Sequence, residues 1–178
     1  MEDHMQDDTV LTAEADELAE RCFAPLIAAY KKDRSAGGDF AESFRELSPG
    51  QQALFTFRVF YAHAVHSRED LYWWSAYFLA KGREWNGIKD GLRFFGDLPM
   101  LQLLERLEGV LAETGHALDY AQFDLSFGSL ALRPELLAAV EPIDAEFRRL
   151  LPSTLQRIGR YIREHPQEFE RLPRQTDG

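Results

Sequence analysis

The chain has a single cysteine, Cys22, among 178 residues. No intrachain disulfide can form, and a reducing, cytoplasmic setting is the expectation. Long hydrophobic runs are missing as well: the longest nearly apolar stretch, Leu71 to Ala80, is about half of the ~20 residues a membrane helix requires. The start, Met-Glu-Asp-His-Met-Gln-Asp-Asp, lacks the positive n-region and apolar h-region of a secretory leader, so none is expected. There is no cationic stripe. The densest basic stretch, Arg157, Arg160 and Arg163, is followed at once by Glu164, Glu168 and Glu170. Holding a phosphate backbone needs such a stripe, so nucleic acid is not expected as a direct ligand. The glycine patterns of a nucleophile elbow, a dinucleotide-binding turn and a phosphate loop are absent, and no cofactor is expected.

Bases are missing from one place in particular. The first twenty residues carry Glu2, Asp3, Asp7, Asp8, Glu14, Asp16, Glu17 and Glu20, with no lysine or arginine before Arg21. Of a net charge of −10, this segment contributes −8, leaving 22 acids against 20 bases in the rest. A concentrated acidic face can attract a basic partner. The same acids also have structural uses: residues 1–8 can solvate a tail, and Glu14, Asp16 and Glu17 suit the first turns of a helix. Both readings stay open at this point.

What is present reads as helix almost throughout. Leu18, Cys22, Phe23, Leu26, Ile27 and Tyr30 recur at helical spacing over residues 13–32, with Pro25 expected to kink or split that helix. Cys22 falls on its apolar face and reads as a small buried hydrophobe rather than a nucleophile. Residues 35–39 form a loop whose Asp39 can cap a short helix over 40–47. Ser48-Pro49-Gly50-Gln51 is a capping box with proline at N1. It predicts a helix to about His66 that is apolar on nearly all sides and belongs mid-bundle. Ser67 caps an aromatic helix that Gly82 ends. A short helix over 87–95 stops at Gly96. Asp97 then caps a helix with a Met100, Leu103, Leu104, Leu107, Leu111 stripe that Gly115 closes. Residues 116–132 fit a short helix and loop or an extended segment. Pro134, Pro142, Pro152 and Pro166 are each expected to open a separate helical piece.

Two constellations invite chemistry. His63 and His66 share a helix face, with Glu69 and Asp70 following, and helical bundles build metal sites from such pairs when other helices add ligands. No further histidine is spaced to help, and position in the last helical turn accounts for both. No metal is assigned, and the pair stands as a weak alternative. Tyr72, Trp73, Trp74, Tyr77 and Phe78, with Trp85, Phe94 and Phe95, suit core packing. Adjacent Trp73 and Trp74 cannot point the same way, so one of them is expected at an edge or interface, where tryptophan anchors contacts.

Three stretches carry a family resemblance: Leu47-Ser-Pro-Gly-Gln-Gln-Ala-Leu54; Phe94-Phe-Gly-Asp-Leu-Pro-Met-Leu-Gln-Leu-Leu-Glu-Arg-Leu107; and Ile143-Asp-Ala-Glu-Phe147 with Tyr161-Ile-Arg-Glu-His-Pro-Gln-Glu-Phe169. Together, over residues 47–170, they resemble a family of largely uncharacterised bacterial helical proteins that includes a DNA-mimic protein. Members usually carry an Asn-Asn-Gly-Gly-Phe-like turn where this chain has His66-Ser-Arg-Glu-Asp-Leu71. The resemblance implies an all-helical fold and a role bound to another protein.

The expectation is therefore an all-α, single-domain bundle of seven to nine short helices spanning 1–178, with residues 1–11 a flexible acidic arm and 173–178 a frayed tail. Its function is read as non-enzymatic protein interaction, as an acidic regulator or a DNA-mimic-like or immunity-type partner of a basic protein. The candidate partner-binding residues are Glu14, Asp16, Glu17, Glu20, Trp73 and Trp74. The rival reading is a helical-bundle metal- or ligand-binding protein or enzyme using His63, His66 and the aromatic helix. A homodimer seam along that helix is a third.

Overall fold

A computed structural model describes residues 2–38 and 40–170, with side chains from 9 to 38 and from 41 to 170. Among the described residues seven α-helices follow one another: α1 Glu2–Ser35, α2 Phe40–Glu46, α3 Pro49–Ala64, α4 Arg68–Lys81, α5 Arg83–Phe94, α6 Leu98–Glu113 and α7 Pro134–Glu164. Short 3-10 turns lie at Tyr120–Gln122, Ser129–Leu132 and Pro166–Glu168. No strand occurs among the described residues, so the fold is an all-α bundle. Asp39 and the tail 173–178 lie outside the described residues.

The capping signals act as their chemistry demands. The Ser48 hydroxyl accepts from the Gln51 amide while the Gln51 side chain accepts from the Ser48 amide. Ser67 and Asp97 likewise accept from the amides of Asp70 and Met100, opening α4 and α6. Asp97 is buried, and its second oxygen accepts the Thr154 hydroxyl of α7, so one carboxylate caps one helix and docks it to another. Gly82 has a φ of +62° and separates α4 from α5 by a single residue. Only glycine takes that conformation without strain, and α5 consequently starts at Arg83 instead of residue 87.

Helix α3 runs through the middle, packed against α1, α4 and α5. Its Phe60 is fully buried and meets Phe78 of α4, Trp85 of α5 and Phe147 of α7 edge-on at centroid distances of 6.0–6.2 Å. The α6 stripe Met100, Leu103, Leu104, Leu107 and Leu111 is likewise fully buried, against α7, α5 and α4.

The prolines behave differently from expectation. Helix α7 is continuous through Pro142 and Pro152, and α1 is unbroken at Pro25. A helical proline frees the carbonyl four residues back. Those carbonyls belong to Ala138, Arg148 and Arg21, all exposed, where water can replace the lost bond. Meanwhile the apolar stripe Ile143, Phe147, Leu151, Leu155, Ile158 and Ile162 stays in phase across Pro152 and is buried along the whole length. Burial of an in-phase stripe outweighs a penalty of roughly 3 kcal/mol per proline. Two helices are therefore long rather than short. Backbone over 2–11 is helical and continuous with the rest of α1.

Candidate functional site

The acidic helix splits into two faces. Asp16 and Glu20, four residues apart, reach along the edge of α1 to Arg58 of α3, whose Nη1 and Nη2 donate to the two carboxylates, while the acids themselves stay 36% and 56% exposed. The Arg58 side chain is only 7% exposed, and its guanidinium also lies 4.9 Å from the Tyr61 ring centroid and 6.0 Å from that of Phe23. A charge so buried needs partners on every side, and α1 supplies two. Glu14 and Glu17, three residues apart, lie on the outer face, exposed and without an ion pair among the described residues. Side chains three apart on a helix are neighbours, roughly 5–6 Å between Cβ atoms. Arg21 follows on the same face and ends the patch. The side chains of Glu2, Asp3, Asp7 and Asp8 lie outside the described residues.

Arg58 also acts on the neighbouring phenol. Burial raises the Tyr61 pKa most, with Asp16 adding to it and the Arg58 charge opposing. The structure thus divides the four candidate acids of this segment: Asp16 and Glu20 hold α1 to the core, and Glu14 and Glu17 are presented to solvent. Arg58 was not singled out from the sequence. It is the only lysine or arginine in α3, and a lone guanidinium in an otherwise apolar helix is the signal that would have identified it.

Trp73 and Trp74 are half-buried and lie edge-on to each other, 4.9 Å between centroids at 82°. Trp73 stacks on Tyr77 and is crossed by the loop after α6: its Nε1 donates to the Leu125 carbonyl at 2.9 Å, and Phe123 and Phe127 pack on its ring. Tyr120 meets Tyr77 edge-on, with the Lys81 ammonium 4.2 Å from its centroid. Residues 117–132 therefore form a strap over the aromatic face of α4. The strap bears four exposed large apolar side chains: Leu118, Tyr120, Phe127 and Leu132.

His63 and His66 are not brought together as a metal pair. The His63 ring stacks on Trp74 at 3.8 Å, and His66 Nε2 bonds the Ala62 carbonyl. Among the described residues no three His, Cys, Asp or Glu side chains gather as a metal site. Burial, and secondarily the His66 charge, lower the His63 pKa. A cleft of about 710 Å³ opens elsewhere, between α1, α2, α3 and α5. Tyr30, Phe44 and Phe55 form its aromatic side, with Arg83, Glu84, Asn86 and Asp90 at its polar side. Cys22 is half-buried against the core, where burial raises its thiol pKa. No described helix is long and apolar enough to cross a membrane.

No family model matches the chain, and neither a curated protein nor a solved structure matches it.

Proposed function

We propose that this protein is a non-enzymatic interaction domain that binds a basic protein partner through the outer face of α1. The observation that carries the reading is the division of labour along that helix. Asp16 and Glu20 are tied to buried Arg58, so the helix is held in one orientation, and Glu14 and Glu17 are left facing solvent. Carboxylates on a fixed scaffold lose little freedom on binding, and they steer a cationic partner from a distance. An acidic regulator or an immunity-type partner fits this geometry. A DNA-mimic-like role draws support from the family resemblance, and requires the carboxylate band to extend beyond Glu14 and Glu17.

The test is capture of partners from a host lysate on immobilised wild-type protein and on a Glu14→Gln, Glu17→Gln variant, at low and high salt. The expected result is a basic protein retained at low salt, lost at high salt and weakened by the double substitution. The reading is abandoned if no partner is retained, or if retention is the same for both proteins at both salt levels.

A further inference from the structure

The strap is an Ω-type loop, a compact loop whose ends meet. Its feet are His116 and Arg133: Arg133 Nη2 donates to the Thr114 carbonyl at 3.2 Å, and Nη1 lies 3.4 Å from His116 Nε2. His116 Nδ1 lies 2.9 Å from the Thr114 hydroxyl, whose own hydrogen goes to the Val110 carbonyl, and 3.1 Å from the Leu111 carbonyl; both therefore accept, and Nδ1 carries the proton. Nε2 then holds the lone pair and accepts the Tyr72 hydroxyl at 2.7 Å. Tyr72 belongs to α4, is fully buried, and also meets the imidazole edge-on at 5.4 Å.

We propose that the strap over residues 117–132 is a pH-gated cover, held closed by the neutral imidazole of His116 and released from α4 when that imidazole is protonated. Protonation removes the lone pair at Nε2. The imidazolium Nε2–H can then only donate to the Tyr72 oxygen, so the buried hydroxyl keeps one partner but loses the acceptor for its own hydrogen, which weakens the hold on the strap. A second cation also forms beside the Arg133 guanidinium. Opening lets His116 solvate, separates the two charges, and uncovers Trp73 and Tyr77 together with Phe123. The release therefore enlarges an apolar surface already marked by Leu118, Tyr120 and Phe127.

The charged and titratable groups around the imidazole are few. Tyr72 faces it from α4 and Arg133 from the foot of α7. Asp124 of the strap shares a small cavity with it, and Glu135 lies beside Arg133 in an adjoining one. Burial and the Arg133 charge both lower the His116 pKa, against the opposing Leu111 bond. Two further fastenings, the Gly128 amide donating to Glu69 at 2.8 Å and Trp73 Nε1 donating to the Leu125 carbonyl, do not involve the imidazole. His63 also titrates near the aromatic face, against Trp74, so tryptophan emission alone does not isolate the strap.

The test follows the full-length protein by amide hydrogen exchange between pH 7.5 and 5, corrected for intrinsic rates, together with an NMR titration of His116. The expected result is that exchange over 117–132 accelerates by up to about tenfold per pH unit below the ordinary histidine midpoint, the limit for one proton. The helices should stay protected, and the His116 midpoint should lie below 6.5. A His116→Gln variant keeps an acceptor for Tyr72 and cannot be protonated, so its strap should exchange without this pH dependence. His63→Gln should leave the dependence intact. Strap protection that is unchanged with pH in the wild type overturns the proposal, as does a His116 midpoint at or above 6.5. The wild-type measurements decide the matter even where a variant loosens the loop outright.

Discussion

Gly159 of α7 lies directly on Ala15 of α1: a Cβ at position 159 would stand 2.7 Å from the Ala15 Cβ and 2.9 Å from its Cα. Real side chains do not approach so closely. The neighbouring contact, Gln156 Nε2 donating to the Thr12 hydroxyl at 2.8 Å, lies three residues earlier on both helices. The contacts thus advance together along α1 and α7, and a glycine sets how near the two helices come.

Gly159→Ala is expected to destabilise the protein by about 1–3 kcal/mol in chemical denaturation, because overpacking forces α1 away from α7. A helix-interior Gly→Ala change without a clash stabilises by roughly 0.5–1 kcal/mol. Gly109 of α6 has nothing within 4 Å of the corresponding Cβ position, so Gly109→Ala is expected to show that opposite sign.

Arg58→Ala should lower stability by about 1–3 kcal/mol, chiefly through lost packing on Tyr61 and Phe23, because Asp16 and Glu20 are 36% and 56% exposed and water can solvate them once their cation is gone. Asp16→Ala and Glu20→Ala should each cost less, because the other carboxylate still pairs with Arg58. A double-mutant cycle with Arg58 read by urea midpoints measures the two couplings separately. Equal, negligible effects from all three variants would contradict the clamp.

Glu168 closes the C-terminal end of the bundle onto the start of α3. Its Oε2 accepts the Gly50 amide at 3.0 Å, and its Oε1 accepts the Tyr161 hydroxyl. Burial, with the hydrogen bond and charge of Glu168 behind it, pushes the Tyr161 phenol up to about 12. Glu168→Ala should bring the phenolate absorbance transition of one tyrosine down toward the ordinary value of about 10.

The same carboxylate makes a pH prediction. Partial burial raises its pKa, but donors from Tyr161, Gly50 and Ser48 outweigh that and hold it below the ordinary 4.5. A depressed carboxylate stabilises the fold fully above its unfolded pKa and loses that contribution as pH falls through the folded value. The stabilities of wild type and Glu168→Gln should therefore differ at neutral pH, with the wild type more stable, and converge as pH falls from the ordinary 4.5 through the lower folded midpoint of Glu168.

His63 acts with the same sign in a different range. Its pKa is lowered by burial and then by His66, so the neutral ring is favoured in the folded state. Stability should fall as pH drops below 6.5 toward the folded midpoint. A His63→Leu variant, which cannot charge, should lose this part of the slope in thermal melts between pH 7.5 and 5.

Much of the helical framework was legible because its signals are local. Ser48, Ser67 and Asp97 act on amides three residues away, and the α6 stripe repeats within two turns. The prolines misled for the same reason. Read locally, Pro142 and Pro152 end helices, yet the stripe from Ile143 to Ile162 is buried across Pro152, and the freed carbonyls belong to exposed residues. The strap was the least legible segment. Its order comes from Trp73, Tyr77 and Tyr72 on another helix, and no periodicity within residues 116–132 reports that.

By itself the sequence determined an all-helical chain, where most helices start and stop, and an acidic beginning without a compensating base. Each follows from propensity, capping or charge count, which act within a few residues of chain. Only the tertiary structure decided what the acids do. Asp16 and Glu20 meet Arg58 across 42 and 38 residues, and Glu168 meets Gly50 across 118. Pairings at that range are set by which apolar faces pack together, and the charged groups beside those faces are brought to their partners by that burial.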